Sequence, residues 1–299
     1  MKQTLIPLMA SMALIGSASV GHSADILNPT PVAQQQPAVD GLNFEFSVLG
    51  GSLQRNVLGA ASNAMFTTSI ATPIPFFSES FGAQVDLGAG VYDGDFTSAA
   101  AGLHLFWRDP SRGAIGIYGD WGYVDPEHAG RVGAEVSVYN GQWSLDVFAG
   151  MQFGQHVFTE FVDEVDLSYY YDDNTRVSVG HRLTSRGHVA NLSFEHMLDE
   201  GQMQGWSVFG EIEGGEDNYV GGFGGLRYAF GNQGSSTLIE RDRQSSLTVR
   251  IPRNLVSVSQ CGQLDTPRPA TSLRSTMTSL CASEDEINKD STAGISKIR

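Results

Sequence analysis

Acidic side chains recur at alternate positions within apolar surroundings: Glu45, Asp86, Asp120, Glu135, Asp146, Glu164, Asp166, Glu195, Glu211 and Glu213. Arg108, Arg131, Arg176, Arg182 and Arg227 stand in the same phase, as does His104. Two uses of such a set stay open. The charges can line a narrow aqueous passage, where the excess of carboxylates favours cations. They can also pair with one another and fill a closed interior, because unpaired charges are costly in a medium of low dielectric.

Catalytic and ligand-binding patterns are weaker. A hydrolase on the outer wall of a membrane barrel needs a Ser–His pair. His181 and His196 share the apolar face, but the turn at 185–187 sets them about five residues out of register, roughly 15–17 Å apart. No Ser–Asn constellation accompanies them. His104 has no second metal ligand at a recognisable spacing. Gly221-Gly222-Phe223-Gly224-Gly225 lacks the Lys-Ser/Thr and the helix of a nucleotide loop, and Asp93-Gly94-Asp95 is too short for a calcium loop. The expectation is a chain that is not an enzyme and has no cofactor.

These charges need elements that alternate. From Leu42 onward, short segments place apolar residues at every second position, the period of a β-strand. Phe81 to Tyr92, Ala99 to Arg108, Ile115 to Tyr123, Arg131 to Val138 and Gln142 to Phe153 all follow it. Turn signals separate them, Asn140-Gly141 being the strongest hairpin signal. The less regular 63–72 completes a count of twelve strands; without it there are eleven. An even count brings both ends of a bacterial outer-membrane barrel to one side, which favours twelve. The last strand, Tyr219 to Phe230, pairs with the Trp206–Glu213 strand and with the Leu42–Val48 strand, closing the sheet.

Periodicity does not separate a soluble sandwich from a membrane barrel. Aromatic placement does. Trp107, Trp121, Tyr123, Trp143, Tyr169, Tyr171, Trp206, Tyr228 and Phe230 gather towards strand ends on the apolar face, where rings suit the two lipid interfaces. The fold class expected is therefore all-β: an antiparallel up-and-down transmembrane β-barrel of 12 strands over residues 41–230, with a mostly disordered C-terminal tail. Its mean hydropathy of -0.13 agrees with strands that dilute the membrane signal.

The flanks differ from the barrel. Residues 1–24 read as a signal peptide, with Lys2 ahead of an apolar stretch. Residues 25–40 read as a flexible linker. Residues 25–230 hold 26 acids and 8 bases, whereas residues 231–299 hold 7 acids and 9 bases. So acidic a barrel argues against nucleic acid as partner. Residues 231–299 lose the alternation and are rich in Ser, Thr and Pro, so they read as a mostly disordered periplasmic extension in which Leu238–Arg243 forms a short helix or strand. Cys261 and Cys281 lie there. In an oxidising periplasm they can pair, at roughly 3 kcal/mol for a loop of about 21 residues, or remain two free thiols. Near-neutral charge with basic clusters also suggests contact with cell-wall polymers.

Tyr228-Ala229-Phe230 resembles the aromatic targeting signal of outer-membrane strands, though here it does not end the chain. Phe106-Trp107-Arg108-Asp109-Pro110, Arg131-Val132-Gly133-Ala134-Glu135 and Gly225 to Gly231, with Ser236 to Arg241 after it, are similar to a porin-like outer-membrane barrel family of alphaproteobacteria. The resemblance covers about residues 41–243. It implies an outer-membrane location, contact with lipid, and recognition of the terminal strand by the barrel-assembly machinery. It carries over no site residues. The expected function is a porin-like passive pore for small solutes or cations; the alternative is a non-conducting structural barrel that links the outer membrane to periplasmic partners through its tail.

Overall fold

A computed structural model describes residues 36–55, 59–74, 78–125, 127–154, 157–184, 187–198, 203–231 and 236–253. The signal-peptide reading, residues 254–299, and the pairing of Cys261 with Cys281 lie outside the described residues.

Twelve antiparallel strands form one closed barrel. They are β1 (Asn43–Arg55), β2 (Gly59–Pro73), β3 (Phe81–Tyr92), β4 (Phe96–Asp109), β5 (Gly113–Val124) and β6 (Glu127–Asn140), then β7 (Trp143–Gly154), β8 (Val157–Asp172), β9 (Thr175–Thr184), β10 (Gly187–Leu198), β11 (Trp206–Gly215) and β12 (Tyr219–Gly231). Each pairs with its neighbours in sequence. Closure comes from β12 against β1, with Asn43 opposite Gly231 and Gln54 opposite Val220. The irregular stretch is a full strand, β2, paired with both β1 and β3. Its pattern is hard to read because small and weakly polar residues, Ala, Ser and Thr, fall on both faces, and Pro73 ends it.

Closure leaves no free edge, and every strand satisfies its backbone on both sides, the condition for crossing a bilayer as sheet. The outer wall is apolar: Val48, Ile117, Val179, Ile212 and Val220 point outward, Ile117 and Ile212 at 63% exposure. In the outer membrane this wall meets lipid. Rings cluster on it where β1, β11 and β12 meet: Phe44 stacks on Phe230 at 5.0 Å, and Trp206 lies 5.0 Å from Tyr228.

The twelve-strand count puts Asn43 and Gly231 at the same end, called the near end here; the turns at 93–95 and 216–218 belong to the far end. The linker and the segment after β12 both depart from the sequence reading close to the near end. Ala38 and Val39 are buried, and the Ala38 amide donates to Glu79 O at 2.7 Å. Residues 236–253 are not a periplasmic extension. They begin with α1 (Leu238–Glu240), which Thr237 and Glu240 cap reciprocally, and pass into a π-turn (Arg241–Ser245). The Ile239 amide donates to Asp173 O, and Arg243 donates to Gly141 O and Trp143 O, so this helical piece sits across the near-end turns. From Ser246 the chain leaves the near end and runs inside the barrel.

Candidate functional site

The lumen is occupied by the protein itself. Residues 246–253 are held by several strands in turn. Arg108 of β4 donates to Ser246 O at 3.1 Å and to Ala38 O at 3.2 Å. Gln84 of β3 receives the Leu247 amide at 2.6 Å and returns its own NH2 to Leu247 O at 3.1 Å. That amide imitates a strand neighbour, satisfying a backbone that has none. Arg131 of β6 donates to Arg250 O at 3.3 Å. Ile251 is buried against Gly88 and Gly102 of β3 and β4, where an added Cβ would stand 3.1 and 3.0 Å from its side-chain carbons. Pro252 shares a small pocket with Tyr92, Ser98 and Val124, at the far ends of β3, β4 and β5.

Charge holds the segment most firmly. The structure gathers the alternating carboxylates and arginines into three clusters. In the first, Glu195 accepts from Arg176 at 2.9 Å, Arg227 at 2.7 Å and Arg241 of the π-turn at 2.5 Å. Arg227 also pairs with Glu45 at 3.0 Å, and Asp242 takes Arg176 and, at 2.8 Å, the Tyr170 hydroxyl. In the second, Glu164 accepts from Arg131 at 2.5 Å and Arg250 at 2.9 Å. Arg253 reaches Asp166 at 2.6 Å and Glu211 at 2.8 Å, while Arg131 pairs with Asp120 at 2.5 Å. In the third, His104 lies between Asp86 at 3.1 Å and Glu135 at 2.9 Å, completely buried under the Tyr118 ring.

Arg182 pairs with Glu213 at 2.5 Å, with the Tyr219 hydroxyl on the same carboxylate. Asp146 takes the Ser137 hydroxyl at 2.5 Å and lines a cavity of about 110 Å³ that remains beside the segment. That volume has room for several waters. Two features of the lumen were missed from sequence: the arginines of the segment, and the rings Tyr118 and Phe148, which meet edge to face at 5.5 Å.

The outer-wall histidines do not form a pair. His181 lies opposite Ala190 and His196 opposite Thr175, so the β9–β10 ladder keeps them apart. His196 meets the Thr175 hydroxyl at 2.9 Å. His181 instead contacts His188, a neighbour the sequence reading overlooked, at 2.9 Å.

The contact of Ile251 with two glycines gives a direct test. Gly102→Leu fills the space that Ile251 occupies and leaves the outer wall untouched. The expected result is loss of segment docking, read as new trypsin cleavage after Arg250 or Arg253 in the folded barrel. An unchanged cleavage pattern would mean that the segment does not pack against β4 at this height.

No protein-family model matches the chain, and a search of curated proteins finds no match. Among solved structures, similar ones include a KdgM porin, at 9% identity, covering 62% of this chain and 99% of that one with a TM-score of 0.46. An outer membrane channel from Pseudomonas putida F1 is 10% identical and covers 67% of this chain and 98% of its own, with a TM-score of 0.47. Outer membrane phospholipase A from Escherichia coli is 12% identical and covers 62% and 92%, with a TM-score of 0.44. The sequence reading of a chain that is not an enzyme is corrected by this last likeness: an enzyme is among the similar structures, and the exclusion is withdrawn. At these identities the likeness is one of architecture, and the structural neighbours of this chain are outer-membrane barrels, porins and channels among them.

Proposed function

We propose that the chain is a porin-like outer-membrane channel held shut by its own residues 236–253, and that it passes small cations when that segment withdraws. The observation that supports this most is the seating of Arg250 and Arg253 on Glu164, Asp166 and Glu211. The barrel wall carries more acid than base, and the segment supplies the missing cations. With the segment in place the lumen is neutralised and filled. With it withdrawn, the same carboxylates line an aqueous passage that prefers cations.

Membership of the alphaproteobacterial porin-like family, and recognition of β12 by the barrel-assembly machinery, are part of this proposal; the Tyr228-Ala229-Phe230 end of β12 supports both. Contact of the segment with cell-wall polymers is not carried forward, because Arg241, Arg250 and Arg253 are engaged by lumen carboxylates. A second reading is a structural barrel that never opens, and the density of buried ion pairs favours it.

Recording the full chain in planar bilayers separates the two. The channel reading expects a mostly closed record with brief, cation-preferring openings. A record without openings under any applied voltage supports the structural reading, and a permanently open or anion-preferring channel contradicts both.

A further inference from the structure

The lumen wall holds residues 246–253 as a receptor holds a peptide, by main chain and side chain alike. Gln84 takes the Leu247 amide at 2.6 Å and returns its NH2 to Leu247 O at 3.1 Å. Arg108 and Arg131 donate to the carbonyls of Ser246 and Arg250. These four bonds use groups that every peptide backbone offers. Selectivity comes from two side chains. The Arg253 amide donates to Arg250 O at 3.2 Å, and this turn presents both guanidinium groups to the wall. Arg250 meets Glu164, and the two ends of the Arg253 fork meet Asp166 and Glu211, a geometry that an ammonium does not reproduce. The wall also has capacity that this occupant leaves unused. Asp146 forms no ion pair among the described residues; it takes the Ser137 hydroxyl and lines the cavity of about 110 Å³ together with Thr248.

We infer that the open lumen is a binding site for arginine-bearing peptides, and that residues 246–253 are its resident stand-in. This rests on the channel reading for withdrawal of the segment, and it names the class of cation that the open lumen takes. Two arginines three residues apart fill the Glu164 and Asp166–Glu211 positions, while Gln84, Arg108 and Arg131 take the backbone between and before them. A cationic side chain in place of Thr248 gains Asp146 as a partner.

The full chain carrying Arg250→Ala and Arg253→Ala, folded in detergent, is titrated into the fluorescently labelled peptide Ser-Leu-Thr-Val-Arg-Ile-Pro-Arg, and anisotropy is followed. Arg250→Gln with Arg253→Gln replaces the alanine pair if that pair does not fold. Saturable binding is expected, and about tenfold to a hundredfold weaker binding when either peptide arginine is Ala. A peptide with Thr248→Arg is expected to bind at least as tightly as the native one, and free arginine to compete far less well. In planar bilayers the same peptide is expected to block the current of the variant. Absence of binding overturns the inference. So does free arginine competing as well as the peptide, since the backbone contacts then count for nothing. A Thr248→Arg peptide that binds more weakly than the native sequence confines the site to the chain's own segment and also overturns it. The channel reading fails separately: a variant that binds the peptide but passes no current keeps the binding site and loses the channel, and one that conducts but ignores the peptide does the reverse.

Discussion

Arg250→Ala combined with Arg253→Ala is expected to convert a mostly closed barrel into one that conducts for long periods. Arg250 reaches Glu164, and Arg253 reaches Asp166 and Glu211, all inside the lumen. Removing one partner of a buried pair costs about 3–5 kcal/mol, because the other charge is left without compensation. Here the stranded charges are carboxylates, and they recover solvation only if water enters where the segment lay. At about 1.4 kcal/mol per tenfold, even the lower figure shifts the docked-to-withdrawn ratio by about a hundredfold. Open probability and the cation-to-anion permeability ratio in planar bilayers both report it. Arg253→Lys keeps the charge but loses the two-pronged geometry, and is expected to fall between the native chain and the double variant. A double variant as silent as the native protein would show that these pairs do not hold the channel shut.

The second large effect is expected at Glu195. Glu195 is 1% exposed, and its carboxylate accepts from Arg176, Arg227 and Arg241, with the Ser207 hydroxyl at 2.7 Å as a further donor. Glu195→Ala leaves three guanidinium groups facing one another across the near end of the lumen. Two belong to the wall, on β9 and β12, and one to the π-turn, so the change strains the barrel and releases the segment together. A loss of about 3–5 kcal/mol is expected. It reads out as a lower temperature at which the folded band converts to the unfolded one on heated gels. Glu195→Gln keeps the shape and one acceptor, and is expected to lose less. An unchanged conversion temperature for Glu195→Ala would mean that the cluster is fully solvated.

Much of the barrel is legible in the sequence because its physics is local. Alternation along Phe81–Tyr92 or Trp143–Gly154 assigns a face to every side chain, and closure of β12 on β1 follows once twelve strands are counted. The sequence leaves Leu238–Arg243 open as a short helix or strand; the structure makes it helical, with Thr237 and Glu240 capping it reciprocally.

The path of residues 246–253 was not legible, and the reason is physical. Ser246 to Arg253 has neither strand nor helix period, and its structure comes from partners far away in sequence. Gln84 binds Leu247, and Glu164 binds Arg250. One signal did point there. The wall has 26 acids to 8 bases over residues 25–230, and residues 231–299 reverse that balance. Read as a property of an open pore, the acid excess suggests cation selectivity. Read as one half of a complementary pair, it points to the arginines that follow β12.

A covalent link between the segment and the wall tests most directly whether the segment lies in the lumen. In a background with Cys261→Ser and Cys281→Ser, Gly102→Cys and Ile251→Cys place two thiols where a Cβ on residue 102 would stand 3.0 Å from the native Ile251 side chain. A disulfide needs Cβ atoms about 3.5–4.5 Å apart, and the smaller side chain introduced at position 251 leaves room for it. Protein taken from an oxidising envelope is expected to carry this disulfide in most molecules, by mass and by non-reducing gel mobility, and to show fewer channel openings than the same protein after reduction. Two free thiols in folded, heat-modifiable protein would contradict the account, since residue 251 would then not lie against β4.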